Sequence, residues 1–166
     1  MRTAAYWVEK LNLSPHPEGG HFREVYRSDE SIREHALPDR YSESRPLSTS
    51  IYFLLSGSTF SAFHRLRSDE VWHFYDGAPV TIHSIDRYGN LEERTLGADV
   101  QANMSFQLIV RRETWFAAET KEPGYSLVGC TMAPGFSFND FDLGKADELT
   151  KAYPQHKSLI ERLTRV

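Results

Sequence analysis

Alternating hydrophobic and polar residues fill the middle of the chain and predict short β-strands. In HFREVYR (21–27), Phe22, Glu24 and Tyr26 fall on one face of a strand. Eight further strand-like runs follow: Ser48 to Leu55, Thr59 to Arg67, Glu70 to Tyr75, Val80 to Asp86, Leu91 to Leu96, Ser105 to Val110, Thr114 to Ala118 and Tyr125 to Met132. Turn sequences separate many of them, including SGS (56–58), DGAP (76–79), RYGN (87–90) and EPGY (122–125). This spacing predicts an all-β sandwich or barrel.

Helical periodicity is confined to the two ends of the chain. It predicts short helices over about 3–13, where Thr3 can cap the first turn, and over about 146–165, where Pro154 divides two pieces. We expect these helices to pack outside a β core of about 21–141, within a single domain of residues 1–166. The polar stretch 28–46 has little pattern and is predicted to be a long loop.

Composition narrows the range of functions. The chain has 166 residues, with 23 acidic against 19 basic residues and no basic block, so nothing favours nucleic-acid binding. Cys130 is the only cysteine, which excludes an intramolecular disulfide. The N-terminal sequence lacks the apolar run of a signal peptide, and no window approaches the roughly 20 apolar residues of a membrane span. These features predict a cytoplasmic protein with no membrane partner.

The densest candidate chemistry lies in FHRLRSDEVWHFYDG, residues 63–77. Because successive strand residues point to opposite faces, His64 and Leu66 share one face of the first strand. Glu70, Trp72 and Phe74 share one face of the next strand, and two large aromatics predict that this face is internal. His73 then points away from the His64 side.

His64 and Glu70 are therefore the predicted partners, facing each other across a hairpin with Ser68 and Asp69 in its turn. A buried glutamate needs a partner, and a histidine beside it would have a shifted pKa. Spacing alone leaves two alternatives open: the pair satisfies itself inside a barrel, or it acts on a ligand. The remaining histidines, at positions 16, 21, 35, 83 and 156, are predicted to lie in loops, at edges or on the surface.

These residues resemble the first motif of the cupins, with His64, Glu70 and Gly77 at matching positions and Leu66 in place of the second histidine. The second cupin motif aligns best with Val110 to Glu119, where Phe116 replaces the histidine ligand. Three longer stretches resemble a cupin subfamily long labelled as a domain of unknown function: HPEGGHFREVYRS, IYFLLSGSTFSAFHRLRSDEVWHFYDGAPV and SLVGCTMAPGFSFNDFDL.

The resemblance implies a double-sheet jelly roll, a homodimer and a pocket in the barrel mouth, but no settled reaction. It implies a metal site that has lost two of its four usual ligands and retains His64 and Glu70. Because ligand number largely decides metal affinity, we expect no cofactor and keep a divalent metal as the alternative. Gln107 could add a ligand only if its side chain faced inward.

With Leu66 and Phe116 as apolar wall, the site resembles a small-molecule pocket. The candidate ligand-binding residues are Glu18, Trp72, Phe74, Trp115 and Phe138. Glu18 belongs to PEGG (17–20), which is also interpretable as a purely structural turn. The predicted function is binding of a small, sugar-like or partly apolar ligand without metal, with whether it is an enzyme left open.

Three alternatives to this function remain. Cupins similar to sugar epimerases pair a histidine base with a tyrosine acid, so His64, Glu70 and Tyr52 are the candidate catalytic residues, with Tyr125 as a second acid. A metal-dependent cupin enzyme is another alternative. A storage-like or scaffold protein that has lost its chemistry is the last.

Overall fold

The computed structural model describes residues 2–57 and 59–165; Met1, Ser58 of the predicted SGS turn, and Val166 lie outside the described residues. In chain order, the strands are β1 (Ser14–Pro15), β2 (His21–Arg27), β3 (Ser31–Ile32), β4 (Arg45–Pro46), β5 (Thr49–Ser56), β6 (Phe60–Leu66), β7 (Glu70–Gly77), β8 (Val80–Ile85), β9 (Leu91–Leu96), β10 (Gln107–Val110), β11 (Trp115–Glu119), β12 (Tyr125–Met132) and β13 (Phe141–Leu143).

Two antiparallel sheets carry most of these strands. The first has the order β1-β2-β5-β12-β7-β10, and the second has the order β13-β6-β11-β8-β9. The small β3–β4 ladder lies within the predicted 28–46 loop. Sequential strands often lie in different sheets, which is the double-sheet jelly roll expected of a cupin. The predicted all-β fold class is confirmed.

The principal core lies between the two sheets, where inward-facing side chains alternate with outward-facing ones. Phe53 of β5, Trp72 of β7 and Val128 of β12 meet Ile82 of β8 and Phe116 of β11 there, all nearly inaccessible to solvent. Burial of this apolar surface is the main stabilising contribution to such a sandwich. One part of the space between the sheets remains open as a cavity.

Short helices cover the outer faces, as predicted. The first, α1 (Ala4–Lys10), begins after Thr3, whose hydroxyl accepts a hydrogen bond from the Tyr6 amide. It packs on the outer side of the first sheet. The C-terminal helices, α2 (Ala146–Ala152) and α3 (Lys157–Arg162), lie on the second sheet, where Ile160 packs near Phe63.

Short 3₁₀ turns complete the structure at Glu34–Ala36, Val100–Ala102, Phe138–Asp140 and Pro154–His156. Among the described residues, no helix has the length and hydropathy needed to cross a bilayer.

Candidate functional site

A cavity of about 580 Å³ opens between the sheets, within the usual size range of small-molecule sites. Its lining joins strands of both sheets to the N-terminal turn and the segment after β12. Its aromatic side chains are Phe22, Phe53, Trp72, Phe136, Phe138 and Phe141, and its titratable side chains include His16, Glu18, His64, Glu70 and Cys130. A group of polar side chains is thus enclosed by mainly apolar walls.

His64 is buried at the inner face of β6. Its Nδ1 lies 2.8 Å from the carbonyl oxygen of Ala62, and because a carbonyl only accepts, Nδ1 carries a hydrogen. The neutral ring then presents an unprotonated Nε2, which lies 3.3 Å from Oε2 of Glu18. Burial lowers the pKa of His64, against the opposing effect of Glu70. The ring of Phe116, at a centroid distance of 4.0 Å, holds the imidazole from one side.

Glu70 lies at the start of β7, and its carboxylate is held from two directions. Trp72 donates its indole N–H to Oε2 at 2.6 Å, and the Cys130 thiol forms a second hydrogen bond. Burial, reinforced by the nearby charge of Glu18, raises the pKa of Glu70 to about 7. Glu70 can therefore gain or lose a proton near neutral pH, as a general acid or base requires.

Glu18 reaches the cavity from the PEGG turn. Its backbone carbonyl accepts from the Ala62 amide and from Arg165, which fixes the turn against β6. Gly19 and Gly20 have φ values of 116° and 70°, and a Cβ on Gly19 would collide with the carbonyl oxygen of Phe60. The turn therefore requires glycine for structural reasons, and it also places the Glu18 carboxylate in the cavity.

The carboxylate of Glu18 is shielded from solvent. Ser61 donates its hydroxyl to Oε1 at 2.8 Å. Burial raises the pKa of Glu18, although His16 and Ser61 act in the opposite direction. Glu18 and Glu70 therefore share an environment that disfavours two simultaneous negative charges.

His16 lies in the loop between β1 and β2, and its ring points into the cavity, which the sequence did not predict. Its ring is mostly buried, with Nδ1 3.5 Å from Oε2 of Glu18, and it stacks against Phe138 at 6.1 Å. Burial lowers the pKa of His16. The HPE spacing beside two glycines is the signal that could have identified it, because it puts His16 and Glu18 on one tight turn.

The predicted hairpin between His64 and Glu70 was wrong. β6 pairs with β11 and β13, whereas β7 pairs with β12 and β10, so the two residues lie in different sheets. They approach each other across the sandwich instead. The hydrogen-bond ladder of the jelly roll decides this, and the contact nearest to His64 Nε2 is Glu18 rather than Glu70.

Four predicted site residues lie outside the cavity lining. Tyr52 is on the outer face of β5, packed with the α1 cluster, and Trp115 is on the outer face of β11, beneath Arg65. Strand alternation directs both away from the cavity. Phe74 faces the core, but it packs against the main cluster without lining the cavity. Tyr125, the second candidate acid, donates instead to Asp76 on the outer side, at 2.7 Å.

Gln107 does not supplement the inner ligands. Its amide nitrogen lies 3.1 Å from Nδ1 of His73, on the outer face of the first sheet. His73 also lies 3.1 Å from Thr131 on that face, so its predicted outward direction agrees with the structure. The predicted residues that do line the cavity are His64, Glu70, Glu18, Trp72 and Phe138.

The cavity residues fit a resident metal ion poorly. Leu66 and Phe116, whose side chains cannot ligate a metal, occupy positions where cupins carry ligands. Within residues 2–57 and 59–165, no three His, Cys, Asp or Glu side chains are arranged to hold a metal. His64 and Glu70 alone offer fewer donors than a stable divalent site uses.

The wall near the cavity mouth is built around a buried ion pair. Arg45 is inaccessible to solvent and makes two 2.6 Å hydrogen bonds to Asp140. Nearby, Phe138 is 56% exposed and marks the rim. The rim is therefore fixed by charge pairing, while burial raises the pKa values of the two glutamates deeper in the cavity.

Comparison with known proteins identifies the family. A model described as Cupin superfamily (DUF985) matches residues 5–144. The chain is 39% identical to a protein of known structure from Shewanella oneidensis, with 99% of both chains covered and a TM-score of 0.90. It is 32% identical to a hypothetical protein from Leishmania major, with 99% of this chain and 100% of that one covered and a TM-score of 0.89.

More distant structures share the fold alone. Oxalate decarboxylase from Bacillus subtilis is 15% identical, with a TM-score of 0.55 over 90% of this chain and 36% of that one. A search of the curated proteins gave no match. On the extent of the family match, the chain belongs to the DUF985 family of the cupin superfamily.

Proposed function

We propose that the cavity binds a small, sugar-like or partly apolar molecule without the help of a metal ion. The observation that carries the proposal is the convergence of His16, Glu18, His64 and Glu70 within an aromatic-walled cavity of about 580 Å³. Such a mixture orients a ligand through a few polar groups and binds it through apolar contact.

The chemistry of these groups suits a ligand with hydroxyl or amine hydrogens. Carboxylate oxygens and the unprotonated Nε2 of His64 accept hydrogen bonds, while the aromatic rings cover C–H surfaces. Burial makes each polar contact stronger than it would be in water, and makes an unpaired polar group costly. A ligand that satisfies the cluster would therefore be preferred over an apolar molecule of the same size.

A thermal-shift screen with sugars, nucleotide sugars and small acids tests this proposal, followed by titration calorimetry. A ligand should stabilise the wild type and lose at least about tenfold in affinity in His64→Asn, since a buried hydrogen bond is removed. His73→Asn is the matched control, because His73 lies on the outer face of β7. The proposal fails if no compound binds, or if the two histidine variants respond alike.

A second candidate function is proton transfer on the bound ligand, as in an isomerase or epimerase. It is favoured by one observation: the unprotonated Nε2 of His64 lies inside the cavity, 3.3 Å from Glu18, beside glutamates of raised pKa. His64 would remove a proton from carbon, and Glu70 or Glu18, rather than Tyr52, would return one. The step conserves atoms and charge overall, because one proton leaves the ligand and one is added.

Solvent exchange separates catalysis from binding. In D₂O, an epimerase should replace a carbon-bound hydrogen of the ligand with deuterium, seen by NMR, and His64→Asn should stop the exchange. A ligand that binds but shows no exchange would leave the binding function in place and remove the catalytic one.

The metal-dependent alternative has its own test. Elemental analysis of protein purified without a nickel column should find far less than one metal ion per chain. Near-stoichiometric metal that disappears in His64→Ala would overturn the metal-independent proposal.

A further inference from the structure

The cavity is lined by more acidic than basic side chains. Four glutamates and two arginines line it. Arg27 is paired with Glu24 at 2.7 Å, and Arg45 is paired with Asp140 and Glu43. Both arginines are thus occupied by carboxylates at the rim and wall.

The two inner glutamates have no such partner. Among the described residues, neither Glu18 nor Glu70 forms an ion pair with a lysine or arginine side chain; Arg165 binds the backbone carbonyl of Glu18 instead. Their neighbours are histidines, a serine, a tryptophan and a cysteine. The charge of Arg165 acts on Glu18 without forming an ion pair with its carboxylate. An inner end with two carboxylates and no directly paired arginine or lysine attracts positive charge and repels anions.

The aromatic walls suit the same kind of ligand. Phe136, Phe138 and Phe141 form a cluster with centroid distances of 4.9 to 6.4 Å, and His16 stacks beside it. The faces of aromatic rings attract cations, including organic ammonium groups. Rings and carboxylates therefore line the same cavity.

Resting on the proposed function, we propose that the ligand is an amine: a small molecule whose one positively charged nitrogen is directed toward Glu18 and Glu70, with its carbon skeleton against the phenylalanines. The same charge pattern disfavours phosphorylated ligands, including nucleotide sugars. A diphosphate would need free arginine or lysine side chains, and both lining arginines are occupied.

Matched probes that differ in one group test this inference. Benzylamine, benzyl alcohol and benzoate share a ring, and glucosamine and glucose share a sugar frame. We expect each amine to bind at least about tenfold more tightly than its alcohol counterpart, as a buried ammonium–carboxylate contact with nearby rings implies. Benzoate should not bind.

Variants locate the effect. Glu70→Gln and Glu18→Gln keep a hydrogen-bond acceptor for Trp72 and Ser61, and each should remove most of the amine preference. Glu148→Gln, on the exposed surface of α2, is the control and should leave it unchanged. Phe138→Leu, at the half-exposed rim, should fold normally and reduce amine affinity by about threefold.

The outcomes distinguish this inference from the proposed function. Alcohols or glucose that bind as tightly as the amines, with binding lost in His64→Asn, would overturn the amine assignment and leave small-molecule binding intact. Tighter binding of benzoate would also overturn it. If none of the probes binds at millimolar concentration the amine inference fails, and if the wider screen is also empty the proposed function fails with it.

Discussion

Two buried histidines lie on opposite faces of the same sheet, and each is close to carboxylates. His64 on β6 faces the cavity and Glu18. His83 on β8 faces outward, with Nε2 2.9 Å from Glu119 and Nδ1 2.8 Å from Glu93, the latter not aligned for a hydrogen bond. Burial and a neighbouring carboxylate therefore do not by themselves identify a functional histidine.

The difference between the two sites is an arginine. Outside, Arg162 of α3 donates to Glu119, and this bond together with that from His83 lowers the pKa of Glu119 although burial opposes it. Inside, no arginine forms an ion pair with the carboxylates within the described part of the chain, since Arg165 binds the backbone carbonyl of Glu18, and burial raises the pKa of Glu70. The outer network ties a helix to the sheet, whereas the inner cluster is left with unmatched polar groups for a ligand.

The largest loss of stability is expected from breaking the buried ion pair between Arg45 and Asp140 in the cavity wall. In Asp140→Asn, Arg45 would remain buried without its bidentate partner, so the free energy of unfolding should fall by about 3–5 kcal/mol. Urea denaturation measures this. Asp142→Asn is the control, because its partner Arg65 is partly exposed, and it should cost less than about 1 kcal/mol. Equal effects would show that the wall pair is no more important than a surface pair.

The contribution of Glu70 to the free energy of unfolding should change with pH in the opposite direction to that of an ordinary acidic residue. Because the folded pKa of Glu70 is above its usual 4.5, the folded protein holds a proton there that the unfolded chain releases, and the contribution of Glu70 to stability falls as pH rises from about 4.5 to about 7. Glu70→Gln should remove this loss. It should be more stable than the wild type by as much as about 3 kcal/mol at pH 8 and nearly equal to it at pH 4.5.

Thermal and urea unfolding of both proteins between pH 4.5 and 8 would give this difference. A Glu70→Gln variant that is less stable at pH 8 than the wild type would mean that the charged carboxylate is stabilised in the fold. The inner and outer sites would then be electrostatically alike.

The periodicity of the sequence predicted which side chains of the inner site face inward, but not which residues contact each other there. Strand alternation correctly placed His64, Glu70 and Trp72 inward and His73 outward. Tyr52 and Trp115 were not assigned to the site by alternation, and they lie outside the cavity lining. Both faces of their strands are covered, one by the opposite sheet and the other by terminal helices. When both faces of a strand are buried, an aromatic residue does not indicate which face points toward the cavity.

The local sequence pattern also did not predict that the chain passes from one sheet to the other between β6 and β7. A short link with Ser68 and Asp69 is compatible with a hairpin, but in the jelly roll the three residues between β6 and β7 pass from one sheet to the other. His16 and Glu18 reach His64 only through that long-range topology, since the PEGG turn packs against β6 from far away in sequence. The cupin resemblance supplied the fold, and not these contacts.

The outer site should respond to pH with the opposite sign. The folded pKa of Glu119 is lowered, so its contribution is present above pH 4.5 and is lost as pH falls through the folded pKa. Glu119→Gln should therefore reduce the free energy of unfolding by about 1 kcal/mol at pH 7, the usual size for a partly exposed charged hydrogen bond, and by less at pH 4. The same unfolding series measures it, and a deficit that grows toward low pH would contradict it.

The smallest effect is expected at Tyr52, which the epimerase analogy would make an acid. Its ring lies outside the cavity, between Tyr75 at 6.1 Å and the guanidinium of Arg23 at 5.6 Å. Tyr52→Phe keeps both ring contacts, so stability should change by less than about 0.5 kcal/mol and ligand affinity should stay constant. Calorimetry with whichever probe binds the wild type tests this. A loss of binding comparable to that of His64→Asn would mean that the outer face takes part in the site, and the division between the two faces would no longer hold.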